Sequence, residues 1–94
     1  MEFEKTGTSL PVIVCNHAEI LSILNDDGVQ YKRELAEKLD VSKSTIYNRN
    51  RKLSRYKLMR KERGGYVLTE LGSMCYSTYK KFEGELHLVY SKHR

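Results

Sequence analysis

Apolar positions recur along this chain at helical spacing, in blocks separated by turn-forming residues. Leu10-Pro11-Val12-Ile13-Val14-Cys15 is a short apolar run whose length fits a strand or a helix equally well. Pro11 would suit a helix start, with Ser9 near the cap. Asn16-His17-Ala18-Glu19 follows the capping-box pattern, and Ile20, Leu21, Ile23 and Leu24 supply one apolar helical face behind it. Asn25-Asp26-Asp27-Gly28 ends that helix, and Val29-Gln30-Tyr31 fits a very short strand. A second helix is predicted over 32–39, with Leu35, Ala36 and Leu39 inward. After the break at Asp40-Val41, Ser42 caps a third helix running to about residue 56. Residues 58–68 read as a hairpin, with Gly64-Gly65 supplying the positive φ of its turn. Thr69 caps a last helix from Glu70 to about Tyr90, whose stripe is Leu71, Met74, Cys75, Thr78, Phe82 and Leu86. The predicted fold is mainly α with a small β-hairpin and a long C-terminal helix.

With 94 residues the chain holds one hydrophobic core. No apolar run approaches the roughly 18–20 residues that cross a bilayer, and the first residues do not form a secretory leader. The expectation is a cytoplasmic module without membrane contact. Charge changes the picture more. Residues 43–63 hold nine Lys and Arg against the single Glu62, a net of +8, which leaves −3 for the rest of a chain whose total is +5. One sign concentrated on the third helix and the hairpin is the footprint of a polyanion site. The plain alternative is a solvated basic face with no partner.

The run Arg33-Glu34-Leu35-Ala36-Glu37-Lys38-Leu39-Asp40-Val41-Ser42-Lys43-Ser44-Thr45-Ile46-Tyr47 is similar to the "ELA-x-x-L-x-VS-x-ST-V" segment of winged helix-turn-helix transcriptional regulators. Gly65-Tyr66-Val67-Leu68-Thr69-Glu70-Leu71-Gly72 resembles their wing strand and the "Y-x-LT-x-x-G" that follows it. The likeness spans roughly residues 16–82 and touches the arsenic-sensor-like, antibiotic-resistance-regulator-like and archaeal branches. It implies the order α-(β)-α-α-β-β-α, with a winged helix DNA-binding domain over 10–69. Residues 1–9 are polar and aperiodic and read as a flexible N-terminus, and the helix over 70–94 reads as a dimerisation element. Two positions depart from the pattern. Asp40 stands where the turn commonly has Gly, and Asn50 stands between Ile46 and Leu53, where Leu is usual.

The resemblance implies a recognition helix at about 43–56 in the major groove of double-stranded DNA. With Ile46 and Leu53 inward, Lys43, Ser44, Tyr47, Asn48, Arg51 and Arg55 face outward. Arg51 suits guanine, Asn48 adenine, and Tyr47 a thymine methyl or a phosphate. Ser42, Ser44 and Thr45 offer hydroxyls near the helix start, and Lys52 offers a backbone contact. Arg60, Lys61 and Arg63 make a basic wing that follows the backbone or enters a narrow minor groove. The last helix carries more apolar surface than a small core needs, counting Tyr76, Tyr79, Phe82, Leu86, Val89 and Tyr90. That surplus points to a homodimer through this helix, with residues 10–14 adjoining it.

Catalysis has no supporting motif, and no cofactor is implied. Cys15-Asn16-His17 with His87 and His93 has no spacing that fixes a metal sphere, and Cys15 and Cys75 do not form a disulfide framework. The expected function is sequence-specific duplex binding in transcription regulation. The competing readings are a winged-helix protein adaptor and a nonspecific DNA- or RNA-binding module.

Overall fold

The computed structural model describes residues 9–93. Its elements are α1 (Leu10–Asn16), α2 (Ala18–Asp27), α3 (Lys32–Leu39), α4 (Lys43–Arg55), β1 (Met59–Glu62), β2 (Gly65–Leu68) and α5 (Glu70–Lys92). The molecule is mainly helical with one antiparallel hairpin and a long C-terminal helix, the class the sequence predicts. The element order differs from the expected one by the added helix α1 and by the lack of a full strand at 29–31.

The ambiguous run at 10–15 is a helix. Ser9 is its extended N-cap, and Pro11 lies in the first turn, where a missing N–H breaks no helical bond. Because α1 starts this early it takes in Asn16, and the break moves to His17, which ends α1 and precedes α2. The capping box expected from Asn16 and Glu19 therefore does not form. His17 is the N-cap instead, and its side chain makes no capping bond. Ser9 is buried, and the rest of the stretch expected to be flexible lies outside the described residues.

Left-handed residues set both turns around α4. Asp40 caps α3 at φ 55°, ψ 51°, and the Val41 N–H then closes onto the Ala36 carbonyl. Asp tolerates this conformation better than most non-glycine residues, so the turn forms without the usual Gly. Lys57 repeats the geometry after α4 at φ 62°, with the Leu58 N–H on the Leu53 carbonyl.

The expected strand at 29–31 reduces to one bridging residue. Gln30 and Tyr66 exchange two backbone bonds of 3.0 and 2.8 Å. In the hairpin Lys61 pairs with Tyr66 and Glu62 with Gly65. The turn residues are thus Arg63 (φ 53°) and Gly64 (φ 83°), not the expected Gly64-Gly65. Two central residues at positive φ suit the twist of a two-residue hairpin. Gly65 serves close approach instead, since a Cβ there would lie 2.6 Å from Val29 Cγ1.

Ile20, Leu21, Leu35, Ile46, Leu53 and Leu58 form the centre of one core and are inaccessible to solvent. Each contributes about 1.5–3 kcal/mol by burial. Helix α5 joins that core through Gly72 and Tyr76. Gly72 packs so closely that a Cβ would collide with the Leu58 carbonyl. Thr69 fixes the same junction: its hydroxyl accepts from the Gly72 N–H at 3.0 Å and donates to the Lys57 carbonyl at 2.6 Å.

This contact decides which face of α5 is inside. Gly72 and Tyr76 are buried with Cys75 and Tyr79 beside them, so of the expected stripe only Cys75 packs on the core, while Leu71, Met74, Thr78, Phe82 and Leu86 are exposed. Tyr76 and Tyr79 accordingly leave the exposed set, while Phe82, Leu86, Val89 and Tyr90 remain in it, up to 70% exposed at Tyr90. No helix of the described residues is long and apolar enough to cross a membrane.

Candidate nucleic-acid interface

Helix α4 is built to show one polar face. At about 100° of rotation per residue, Ile46, Asn50 and Leu53 fall together, and all three are buried. Ser44, Asn48, Arg51 and Arg55 occupy the opposite side, with Tyr47 along one edge and Lys52 along the other; all six are exposed. Lys43 is exposed in the first turn. The Ser42 hydroxyl accepts from the Thr45 N–H at 3.1 Å and lies 2.9 Å from the Thr45 hydroxyl, so this pair caps the helix. Thr45 is half-buried.

The two edges have different neighbours. On one, Lys32 Nζ from the start of α3 lies 5.3 Å from the centre of the Tyr47 ring, and Arg51 Cζ lies 5.8 Å from it. Such cation–π contacts are worth about 0.5–1 kcal/mol when exposed. On the other edge, Arg49 and Lys52 act on buried His17. Its pKa is held below the ordinary 6.5, first by burial and then by the fields of Arg49 and Lys52. His17 Nδ1 is buried with no partner among the described residues.

The hairpin charges are less uniform than their sequence suggests. Arg60 is engaged by Glu62 at 3.1 Å, an exposed pair of little energetic weight. Lys61 Nζ lies 5.8 Å from the centre of the buried Tyr66 ring, and the residue itself is exposed. Arg63 is exposed at the tip.

Asn50 stays inside the core. It is 1% exposed, and neither its amide nitrogen nor its oxygen has a partner among the described residues. The helix has not rotated to bury Arg49 in its stead.

Sequence reasoning missed Lys32 and Tyr31. Both lie outside the basic block at 43–63, and only the packing of α3 on α4 brings Lys32 to this face. The position of Lys32 at the start of a helix leading into the turn was the one signal available.

The thiols belong to a different surface, the one between α1 and α5. Cys15 and Cys75 are free and line an apolar groove of about 430 Å³ between α1 and α5, together with Leu10, Pro11, Val14, Met74 and Phe82. Burial pushes the Cys75 thiol up from its usual pKa, which keeps it protonated. The described residues contain no group of three or more His, Cys, Asp or Glu able to hold a metal ion.

The family model of the HVO_A0261 N-terminal domain matches residues 6–89 of the 94. The chain belongs to this family. The match covers α1 to α4, the hairpin and nearly all of α5, so membership concerns the fold unit as a whole. No curated protein and no solved structure matches the chain.

Proposed function

We propose that the protein is a DNA-binding transcriptional regulator that reads double-stranded sequence without catalysing a reaction. In this reading α4 enters the major groove. Arg51 and Asn48 meet base edges, the Tyr47 hydroxyl meets a phosphate, and Lys43, Ser44, Lys52 and Arg55 meet the backbone. The hairpin acts as the wing of a winged helix-turn-helix, with Arg63 and Lys61 on the backbone or in the minor groove. Arg60 reaches DNA only after leaving Glu62.

The observation that carries this reading is the outward face of α4. It is polar and cationic throughout, with Tyr47 its one large exposed ring, and it stands on the buried side chains of Ile46, Asn50 and Leu53. The test is selection of bound duplexes from a random pool. Arg51→Ala should then reduce discrimination between selected and scrambled duplexes by roughly 10- to 100-fold, the range of one bidentate base contact. Lys61→Ala should weaken both duplexes about equally. Equal effects from both substitutions would count against base reading by α4.

We further propose a homodimer through α5. The support is the exposed row of Phe82, Leu86, Val89 and Tyr90, continuous with the groove that α5 forms against residues 10–14. Two copies would set their α4 helices about 34 Å apart, one turn of duplex. A molar mass of one chain in solution would refute this. The same apolar row also favours a second reading, a protein adaptor, which predicts that no duplex is selected at all.

A further inference from the structure

Helix α4 and the hairpin are joined on the surface by two residues that belong to neither. Lys32, the first residue of α3, holds its ammonium over the Tyr47 ring, and Arg51 approaches the same ring from one turn along α4. A single aromatic ring thus gathers two cations from two helices, offsetting their repulsion through its negative faces. Tyr31 reaches the other way. Its Cε1 would lie 3.4 Å from a Cβ on Gly65 and 3.9 Å from one on Gly64, so its ring rests against the hairpin turn. The backbone bridge from Gln30 to Tyr66 holds it there. Arg63-Gly64, Tyr31, Lys32, Tyr47 and Arg51 follow one another as a continuous strip of cations and rings.

We propose that the start of α3 is part of the duplex-binding surface. Lys32 neutralises a backbone phosphate between the two elements, and Tyr47 is the positioning residue that aims Arg51 at a base. This rests on the reading of the protein as a duplex binder. Arg51 is exposed and on a flexible stem, whereas bidentate pairing with a base edge demands one guanidinium direction. A ring beside it restricts that direction before DNA arrives. Lys32 is itself half-buried, and its ammonium lies 5.3 Å from the centre of the same ring, a contact that favours one position for the charge over free sampling of solvent.

The experiment uses the full chain, a duplex selected from a random pool, and a scrambled duplex of the same length. Lys32→Ala should weaken both duplexes a few-fold and flatten the salt dependence by about 0.9 in d log K/d log[salt], the share of one phosphate. Tyr47→Phe should keep the selected-to-scrambled ratio within about twofold, since the ring is retained. Tyr47→Leu should reduce that ratio about tenfold, and adding Arg51→Ala should reduce it little further, because both changes disable one base contact. Thermal midpoints of every variant separate this from general loss of fold, which would lower both affinities together. An unchanged salt slope in Lys32→Ala, or independent multiplying losses for Tyr47→Leu and Arg51→Ala, overturns the proposal while leaving duplex binding intact. A wild-type chain that binds neither duplex overturns the functional reading itself.

Discussion

Helices α4 and α5 each give one face to the same core and another to solvent, yet their exposed faces are opposite in kind. That of α4 carries Lys43, Asn48, Arg51 and Arg55, whereas that of α5 carries Leu71, Met74, Phe82 and Leu86. Their buried faces differ as well. In α4 an amide lies between two aliphatic residues, and in α5 a glycine lies against backbone. A conspicuous apolar stripe is therefore not always the buried one. In α5 the close approach of Gly72 to Leu58 sets the rotation, and the stripe is left outside. One molecule thus offers a surface suited to a polyanion and a second suited to an apolar partner.

The comparison breaks most sharply at Gly72. Gly72→Ala should cost about 3 kcal/mol, because the added carbon meets backbone that cannot move alone. Thermal unfolding should show a fall of more than about 10 °C for a domain of this size. A loss below about 1 kcal/mol would mean that α5 is free to rotate, and that its outward stripe is not fixed. Asn50→Leu should act in the opposite direction. It keeps the branched shape and removes two buried polar atoms without partners, so a gain of about 1–2 kcal/mol is expected in urea unfolding. A loss would show that the amide is satisfied in solution.

Arg63→Asn should raise stability by about 0.5–1 kcal/mol, since Asn adopts positive φ more readily, and should weaken duplex binding at the same time. Strain retained at the hairpin tip would then be a cost of function. Binding that survives the change would remove Arg63 from the interface. Leu86→Glu should leave stability within about 0.5 kcal/mol while halving the molar mass of a dimer. The gentlest test is pH. The folded state lowers the pKa of His17, so the unfolded chain binds the proton more readily. Stability should be full above the ordinary 6.5 and decline as pH falls below it, and His17→Gln should flatten that decline. An identical acid profile in the variant would show that other groups govern it.

Much of the fold is legible in the sequence because local chemistry and tertiary structure agree there. Ser42 and Thr69 cap their helices as their side chains dictate, and Asp40 adopts the left-handed turn that its position demands. The misreadings occur where a distant contact decides. Residues 10–15 are ambiguous until Pro11 and the burial of Ile13 and Val14 make them a helix, and Asn16 loses its capping role as a consequence. The hairpin turn shifts by one residue because Gly65 is needed against Val29. The candidate site divides in the same way. Periodicity identifies the outward residues of α4, and the two-residue period of a strand puts Glu62 on the same face as Arg60, but no local pattern reveals that Lys32 lies over Tyr47.

The salt dependence of duplex binding tests the central claim most directly. With about six cations from α4, the start of α3 and the hairpin on phosphates, affinity for a selected duplex should fall about 10³-fold between about 50 and about 200 mM salt, linearly in log–log form. Affinity that stays flat over that range, or a random pool from which no duplex is recovered, would contradict the account.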